Sequence, residues 1–285
     1  MERQYAVLLV PGLLIFTVGL ILPLFMALGY SFTSWNGISA NKQFVGIANY
    51  INAFKDKVVW NAWWFTIKFT VCNTVIQNIL ALLLALMLDG SIKGKKVLRT
   101  IFFIPCLISA VVVGFVWAKL YGNVFPAILK AAGLNGHSAM LFGNEKTVLW
   151  GLLGANNWQW VGYWMLIYLA ALQSVPTELY DSAKVDGANK LQQFRHVTIP
   201  MIAPAITICV VGITTGSLKV YDLLVSSTSG GPGRSSTSII FLIYKTAIGG
   251  RQYGYGSALS VILTVVLLLV ACIQLGSLRK HEVQM

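Results

Sequence analysis

A run of amide and aromatic side chains lies in the middle of the chain, in the stretch NNWQWVGYW. Aromatic rings offer flat apolar faces, and amides offer both a donor and an acceptor of hydrogen bonds. Together these groups suit the C–H faces and hydroxyls of a sugar. The side chains concerned are Asn156, Asn157, Trp158, Gln159, Trp160 and Tyr163. Trp and Tyr also concentrate where a membrane meets water, so an interfacial aromatic belt is the alternative, and both interpretations stay open.

Two further sets of polar residues lie in apolar surroundings. Lys219 and Asp222, within SLKVYDLL, are three residues apart, which on a continuous helix places them on one face and lets them neutralise each other. Such a pair forms either a structural bridge or part of a cavity wall, and the spacing does not decide between the two. Asn73 and Gln77 also share a helical face, and we expect them to hydrogen-bond to neighbouring helices rather than to a ligand.

No combination of residues in the sequence predicts covalent chemistry. The three histidines, His137, His196 and His281, fall in loops or tails without clustered carboxylates. The four cysteines are scattered singly and show neither metal nor disulfide spacing: Cys72, Cys106, Cys209 and Cys272. The sequence contains no phosphate-cradling glycine loop and no serine nucleophile motif. We therefore expect no catalytic residue, no metal, no bound cofactor and no enzymatic activity of the chain itself.

The composition is that of a membrane protein. Of 285 residues, 56% are hydrophobic and only 11% are charged, and the mean hydropathy is +0.72. A soluble domain carries about 25% charged residues. The formal net charge is +12, yet no long basic run suggests nucleic-acid binding. An excess of Lys and Arg in a membrane protein is typical of loops on the cytoplasmic side.

Six stretches are long and apolar enough to cross a bilayer, which takes roughly 20 helical residues. They cover about residues 6–30, 61–88, 100–121, 148–172, 201–222 and 253–276. We expect an all-α protein with six transmembrane helices, in one domain over residues 1–285. Six spans put both termini on one side. The lysine and arginine cluster at residues 93–99 flanks the spans closely and places that side in the cytoplasm.

A polar segment, residues 173–200, separates the fourth and fifth stretches. Pro176 suits the first turn of a helix, where its missing N–H is not needed. We expect this helix to run to Asp186 and to end at Gly187, because glycine readily adopts the left-handed conformation of a helix C-terminus.

A second helix is predicted after Gly187. Leu191, Phe194 and Val197 are spaced by three and lie roughly on one face. The dipeptide Ile199-Pro200 is predicted to end the helix, because the residue before a proline is pushed away from helical geometry. The apolar face needs a surface to cover it, and either the membrane or a groove in a partner protein would do so.

This polar segment resembles the EAA loop of ABC-transporter permeases, whose pattern is roughly E-A-A-x-x-D-G-A followed by F-x-x-I-x-L-P and a further proline. Here DSA at residues 181–183 stands for the first triplet, DGA at 186–188 matches the second, and FRHVTIP at 194–200 supplies the tail. The departures are conservative replacements. By this resemblance the residues that couple the chain to an ATPase are Asp181, Ala183, Asp186, Gly187, Ala188 and Phe194.

The likeness extends along the chain to the carbohydrate-uptake branch of binding-protein-dependent permeases. The stretches SFTSWNG, FVGIANYINAF, LRTIFFIPCLIS and TSGGPGRSST resemble its outer loops and its third span. The resemblance implies the six-helix fold of type I ABC importers, a carbohydrate substrate and a bacterial or archaeal cytoplasmic membrane. It also implies a second, different permease subunit, two cytoplasmic ATPase subunits that bind the ATP, and an external solute-binding protein.

An ion-coupled solute transporter or a channel is the alternative function. Such carriers tend to contain acidic residues inside the membrane and two inverted halves. Here Asp222 is the one acidic residue near the interior of a predicted span, and no second half repeats the first. We therefore favour the ABC permease. The solute path is predicted to be lined by Asn156, Trp158, Trp160, Tyr163, Lys219 and Asp222.

Overall fold

The computed structural model describes residues 2–90, 92–134 and 140–279, and for residues 2–8 it describes the backbone alone. His137 and His281 lie outside these residues. So does part of each chain terminus, and both termini are predicted to be cytoplasmic. The described residues contain no β-strand, and one isolated bridge pairs Thr33 with Phe44. The α-helices are α1 (Glu2–Phe16), α2 (Leu22–Ser31), α3 (Ala48–Lys55), α4 (Lys57–Asp89), α5 (Lys95–Phe103), α6 (Ala110–Lys119), α7 (Phe125–Ala131), α8 (Val148–Gln173), α9 (Thr177–Val185), α10 (Lys190–Gln193), α11 (Ile199–Met201), α12 (Ala203–Leu218), α13 (Asp222–Ser227), α14 (Ile239–Tyr244) and α15 (Tyr253–Leu278).

Four helical stretches in the described part of the chain are long and apolar enough to cross a membrane: Leu9–Ser31, Lys57–Asp89, Ala110–Ala131 and Tyr253–Leu278. The bent pair Lys190–Met201 and Ala203–Leu218, whose two halves differ in direction by 69°, is a fifth if it is counted as one span. The predicted all-α class is confirmed. The number of six transmembrane helices stays a prediction.

Helix α8 is long enough to cross a membrane but is not among these four stretches. Its 26 residues span about 39 Å at 1.5 Å per residue. Its amide and aromatic side chains are much less apolar than the Leu, Ile and Val of the other long helices. Thirteen of its residues are buried, whereas Ser31 is the one buried residue described in the Leu9–Ser31 stretch. The apolar side chains of that stretch therefore face outward, as expected for a helix in lipid, and α8 is the central helix of its unit.

The chain divides into two compact units. The first contains Met1–Asn61 and Ile239–Val266. Within it, the loop that follows α2 is held by the buried Asn49 side chain, whose Nδ2 donates to the carbonyls of Ser31 (2.8 Å) and Thr33 (2.9 Å). The N–H of Gly254 donates to the carbonyl of Trp35 (2.9 Å) and fixes the same loop to the start of α15.

The second unit contains Ala62–Ser238 and Leu267–Met285. Its core consists of two apolar clusters, one around Met165 and Tyr168 and the other around Phe69 and Leu152. Helix α8 contributes buried residues to both clusters. The single domain over residues 1–285 stays a prediction.

The helix predicted over residues 100–121 is interrupted near Pro105. Helix α5 ends at Phe103, and a 3-10 turn over Ile104–Leu107 and an extended residue, Ile108 (φ −82°, ψ 135°), precede α6. Proline has no N–H to donate and its ring crowds the carbonyl four residues before it, so a tighter turn replaces the α-helix here.

The predicted helix end at Ile199-Pro200 is wrong. The helical path continues through Pro200 to Met201, and the bend falls at Ile202. A π-turn over Phe194–Thr198 precedes the proline. In a π-turn each N–H bonds to the carbonyl five residues earlier, so a different set of carbonyls needs a donor. The missing N–H of Pro200 is therefore tolerated, and the helix continues past it.

Candidate functional site

A cavity of about 260 Å³ lies among helices α4, α8 and α12 in the second unit. Its wall combines amides, aromatic rings, one cation and one anion with small residues. The polar and aromatic side chains are Asn73, Gln77, Asn156, Gln159, Trp160, Tyr163, Trp164, Ser217, Lys219, Tyr221 and Asp222. Concave sites with a few convergent polar groups are where small molecules usually bind, so this cavity is the candidate solute site.

Five of the six residues predicted to line the solute path lie together in this wall: Asn156, Trp160, Tyr163, Lys219 and Asp222. Trp158 does not. Its side chain is 41% exposed and packs edge-on against Trp117, with the ring centroids 5.8 Å apart. Two residues along a helix are separated by about 200°, so Trp158 and Trp160 point to opposite sides of α8.

The aromatic part of the wall is a row of three rings on α8. Trp160 and Tyr163 meet edge to face at 6.4 Å between ring centroids, and Tyr163 and Trp164 do so at 4.9 Å. The indole of Trp164 lies over Gly212 of α12, where a Cβ would overlap the ring. Glycine at this position therefore lets the two helices approach closely enough to seat the indole in the wall.

Lys219 and Asp222 line the cavity, but the prediction that they share a helical face is wrong. Helix α12 ends at Leu218 and α13 begins at Asp222. The hydroxyl of Ser238 donates to the carbonyl of Val220 (2.8 Å) and stabilises the break. Both charged side chains are exposed, and the single ion pair in the described part of the chain joins Lys184 to Asp181 instead (2.8 Å).

Of the two α4 amides, Asn73 forms the expected bonds to other helices and Gln77 bonds within α4, and both line the cavity. Asn73 Nδ2 donates to Ser217 Oγ of α12 (2.8 Å) and to Gln77 Oε1 (2.9 Å). Gln159 on α8 is 1% exposed, and its Nε2 donates to the carbonyl of Ile108 (2.8 Å). The predicted solute path omitted Asn73, Gln77 and Gln159. The four-residue spacing of the first two in an apolar helix was the signal that could have indicated a wet cavity.

The polar segment between α8 and α12 has the bend that the sequence predicts. Helix α9 is followed by Gly187 with φ +80°. The N–H of Gly187 donates to the carbonyl of Lys184 (3.0 Å), and that of Ala188 donates to the carbonyl of Ala183 (2.9 Å). This pair of bonds is the Schellman motif, so the predicted left-handed glycine cap is confirmed.

The start of the second helix carries a cap that the sequence analysis missed. The side chain of Asn189 accepts a hydrogen bond from the N–H of Gln192 (3.0 Å), and the side chain of Gln192 accepts one from the N–H of Asn189 (2.7 Å). This reciprocal arrangement is a capping box, which the asparagine with a glutamine three residues later could have indicated. Both ends of the bend are therefore defined by local hydrogen bonds.

A recess of about 390 Å³ lies inside this bend. Four of the six predicted coupling residues line it: Ala183, Asp186, Gly187 and Ala188. Asp181 and Phe194 do not line the recess. Asp181 is exposed and paired with Lys184, and Phe194 is half-buried in the second helix. The other lining side chains are Gln192, Gln193, His196 and Val197.

The apolar side chains of the segment divide into two groups. Tyr180 and Val197 pack against the core, and the Tyr180 hydroxyl hydrogen-bonds to Thr198 Oγ1 (3.0 Å). Val185 and Leu191 are 88% and 75% exposed. The predicted common face of Leu191, Phe194 and Val197 is therefore divided in the structure: the first side chain is free and the other two are half-buried.

Comparison with protein families gives one match over most of the chain. Residues 77–281 match the family described as binding-protein-dependent transport system inner membrane component. Among curated relatives, a probable starch degradation products transport system permease protein, AmyD of Thermoanaerobacterium thermosulfurigenes, is 36% identical, with 99% of this chain and 96% of AmyD covered. The multiple sugar-binding transport system permease protein MsmF of Streptococcus mutans is 31% identical, with coverages of 92% and 90%.

A solved structure shares the fold. It is the bacterial alginate ABC transporter in complex with an alginate pentasaccharide-bound periplasmic protein, one chain of which superposes with a TM-score of 0.84 at 23% identity. The superposition covers 98% of this chain and 95% of that chain. These matches favour an ATP-driven transport permease over the ion-coupled transporter or channel that the sequence left as the alternative.

Proposed function

This chain belongs to the family of binding-protein-dependent transport system inner membrane components, and we propose that it carries a sugar or related carbohydrate across the cytoplasmic membrane. The observation that supports this substrate class is the wall of the cavity, where aromatic rings and amides converge. Trp160 and Tyr163 offer ring faces and edges to C–H groups, and Asn156 and Gln159 offer amides to hydroxyls. The names of the relatives, a starch-product permease and a multiple-sugar permease, agree with it.

The charges of the cavity fit a solute without net charge. Lys219 and Asp222 are the two charged side chains in the wall, and their charges sum to zero. A neutral polyhydroxyl compound is attracted by neither and can hydrogen-bond to both. A strongly anionic solute would gain from Lys219 and lose by its repulsion from Asp222.

The partners follow from the family and from the exposed surface of the polar segment. We propose that the chain pairs with a second, different permease subunit, with two ATPase subunits that bind ATP in the cytoplasm, and with an external solute-binding protein. The solved alginate transporter is itself in complex with a periplasmic protein. Val185 and Leu191 are apolar and almost fully exposed, which suits a helical segment that docks into a groove of an ATPase. With both termini in the cytoplasm, this segment lies on the side where ATP is available.

The coupling mechanism is a two-state equilibrium between inward-facing and outward-facing forms, which ligands bias by binding one form more tightly. The residues proposed to transmit the bias are Asp181, Ala183, Asp186, Gly187, Ala188 and Phe194. The bend at Gly187 is defined by the Schellman motif and by the cap at Asn189, so the segment moves as a unit. Tyr180 and Val197 connect it to the core cluster to which α8 and α12 contribute.

Reconstitution tests this function directly. The chain is assembled in proteoliposomes with candidate permease, ATPase and binding-protein subunits with which it co-purifies, and uptake of maltotriose, raffinose and glycerol is measured with and without ATP. We expect ATP-dependent uptake of at least one of these compounds and a rise in ATP hydrolysis when the loaded binding protein is present. Uptake that continues at full rate without the ATPase subunits would contradict the proposal.

A further inference from the structure

Asn73 is the centre of a buried network of amides in the cavity wall. Its side chain is 2% exposed and makes four hydrogen bonds to side chains. Its Nδ2 donates to Gln77 Oε1 (2.9 Å) and to Ser217 Oγ (2.8 Å). Its Oδ1 accepts from Nδ2 of Asn156 (3.0 Å) and from Nδ2 of Asn157 (3.0 Å). One residue of α4 thereby holds side chains of α8 and α12 in addition to its own neighbour.

The orientation of every amide in this network follows from one backbone carbonyl. Asn157 Nδ2 donates to the carbonyl of Leu153 (2.8 Å), and a carbonyl only accepts, so the Asn157 amide cannot be reversed. Its Nδ2 also donates to Asn73, so Asn73 Oδ1 must be the acceptor. Asn73 Nδ2 is then the donor, and Gln77 must receive it with Oε1. The direction of each bond is determined in turn.

These amide orientations decide which polar atoms of the cavity wall remain available to a solute. Asn156 gives its Nδ2 to Asn73, and its Oδ1 has no hydrogen bond within the described residues. Gln77 gives its Oε1 to Asn73, and its buried Nε2 likewise has no partner there. Both residues line the cavity. At the two ends of the Asn73 network the wall therefore offers an acceptor, Asn156 Oδ1, and a donor, Gln77 Nε2, in addition to the buried acceptor Gln159 Oε1. An acceptor together with a donor is the complement of a hydroxyl group, since a hydroxyl both donates and accepts.

We propose that Asn73 is a positioning residue that sets the amide orientations of Asn156 and Gln77, so that the cavity recognises a solute hydroxyl. The inference rests on the proposed carbohydrate function and names the residue that gives the cavity its selectivity for hydroxyls. The Nε2 atom of Gln77 is covered in this structure, so a hydroxyl reaches it when the cavity wall opens. An unpaired buried donor is unfavourable, and the solute relieves it in the open form.

A second set of buried polar contacts provides a matched control. Thr214 Oγ1 of α12 hydrogen-bonds to Thr74 Oγ1 (3.2 Å) and accepts from Gln274 Nε2 (2.9 Å). Like Asn73, Thr214 is buried and joins helices through side-chain hydrogen bonds, but its partners are half-buried and it does not line the cavity. The substitution Thr214→Val keeps the shape of the side chain and removes both bonds.

Two substitutions at Asn73 separate the halves of the network. Asn73→Leu removes all four bonds and frees both Asn156 and Gln77. Asn73→Asp keeps the acceptor for Asn156 and Asn157, but a carboxylate has no N–H, so the Gln77 amide turns over to donate and leaves its oxygen free instead. If Asn73→Leu fails to assemble, Asn73→Asp still tests the half of the network that ends at Gln77.

The measurement is hydroxyl discrimination in the assembled transporter. Quenching of tryptophan fluorescence reports binding at the cavity, whose wall contains Trp160 and Trp164. Maltotriose is compared with analogues in which single hydroxyls are replaced by hydrogen, and the affinity ratio is taken for each variant. We expect the wild type to prefer maltotriose over one analogue by about tenfold or more, and both Asn73 variants to lose most of this preference. Thr214→Val should keep it.

The outcomes distinguish this inference from the proposed function. Wild-type discrimination in both Asn73 variants would overturn the positioning role while the carbohydrate function stands. An equal loss in Thr214→Val would also overturn it, because general loosening of the helices would then explain the result. A wild-type transporter that neither binds nor takes up maltotriose, raffinose or glycerol would overturn both.

Discussion

The cavity and the polar segment of residues 173–200 are built in opposite ways. In the cavity wall, buried polar side chains are held by residues far away in sequence, as Asn73 is by Asn157, 84 positions away, and by Ser217, 144 positions away. In the segment, the hydrogen bonds that form the bend join residues at most five apart, and large apolar side chains such as Val185 stay exposed.

The cavity wall is therefore complete within this chain, whereas the polar segment leaves an apolar surface that a partner must cover. The cavity is a tertiary structure whose groups are oriented by each other, so a change there alters solute recognition or the stability of the fold. The segment has a shape of its own and an unsatisfied apolar surface, so a change there should leave the fold intact and impair the response to a partner. The substitutions below test that contrast, from the largest expected effect to the smallest.

Gly187→Val should abolish ATP-driven uptake. The residue has φ +80°, a conformation that costs a side-chain-bearing residue about 1–2 kcal/mol and a β-branched one more, so the bend must change. Uptake into proteoliposomes is the measurement, and the binding protein should still capture solute. Gly94→Val is the control, because Gly94 has the same φ and open space but lies outside the segment. Unchanged uptake in Gly187→Val would remove the basis for coupling through the bend.

Gly162→Ala should lower the stability of the second unit by about 2 kcal/mol, since a Cβ there would overlap the backbone of Phe102 and push α8 and α5 apart. The melting temperature in detergent measures the effect. Gly276→Ala, at an exposed helical position with nothing nearby, should leave stability equal or raise it slightly. Equal melting temperatures for the two variants would show that the close approach at Gly162 is unimportant.

Trp160→Ala should weaken solute binding by about tenfold, as expected for the loss of one aromatic contact of about 1 kcal/mol together with its apolar area. Trp158→Ala removes the same kind of side chain two residues away, on the side of α8 that packs against Trp117. It should leave solute affinity unchanged in a titration of the assembled transporter. If both variants lose affinity equally, the assignment of the cavity face of α8 is wrong.

Tyr180→Phe should have the smallest effect, a loss of about 1 kcal/mol of stability from the hydrogen bond to Thr198. This contact joins the segment to the core, so the variant should lower the ATPase response to solute more than it lowers the melting temperature. Ile206→Val, which removes one methylene group from a side chain packed against the same core cluster outside the segment, serves as the comparison. An ATPase response that follows the melting temperature in both variants would mean that the contact has no coupling role.

Several features of the fold could be read from local sequence because their causes are local. Gly187 has the left-handed conformation that the sequence predicts, since no other residue type adopts it as easily after a helix. The long apolar stretches are helices because a bilayer requires every backbone group to be satisfied within the segment. Asn73 forms the expected hydrogen bond to another helix, whereas Gln77 bonds to Asn73 on its own helix.

Other features could not be read in this way because their causes lie elsewhere in the chain. The break after Leu218 depends on Ser238, which bonds to the carbonyl of Val220 eighteen residues earlier. The passage of a helix through Pro200 depends on a π-turn that no residue pattern predicts. The division of Leu191 from Val197 depends on where the core lies.

The amino-acid sequence by itself determined that this protein is helical and built for a membrane, that it bends at Gly187, and that amides and aromatic rings occur along α8. The tertiary structure alone decided that Trp160 lines a cavity while Trp158 does not, and that the Asn73 network leaves Asn156 Oδ1 as an acceptor and Gln77 Nε2 as a donor in its wall. The physical reason is that helix formation and the bend at a glycine are set by residues that lie close together in the sequence. The direction in which a buried amide points is set by the partner it meets, and for Asn73 those partners come from two other helices.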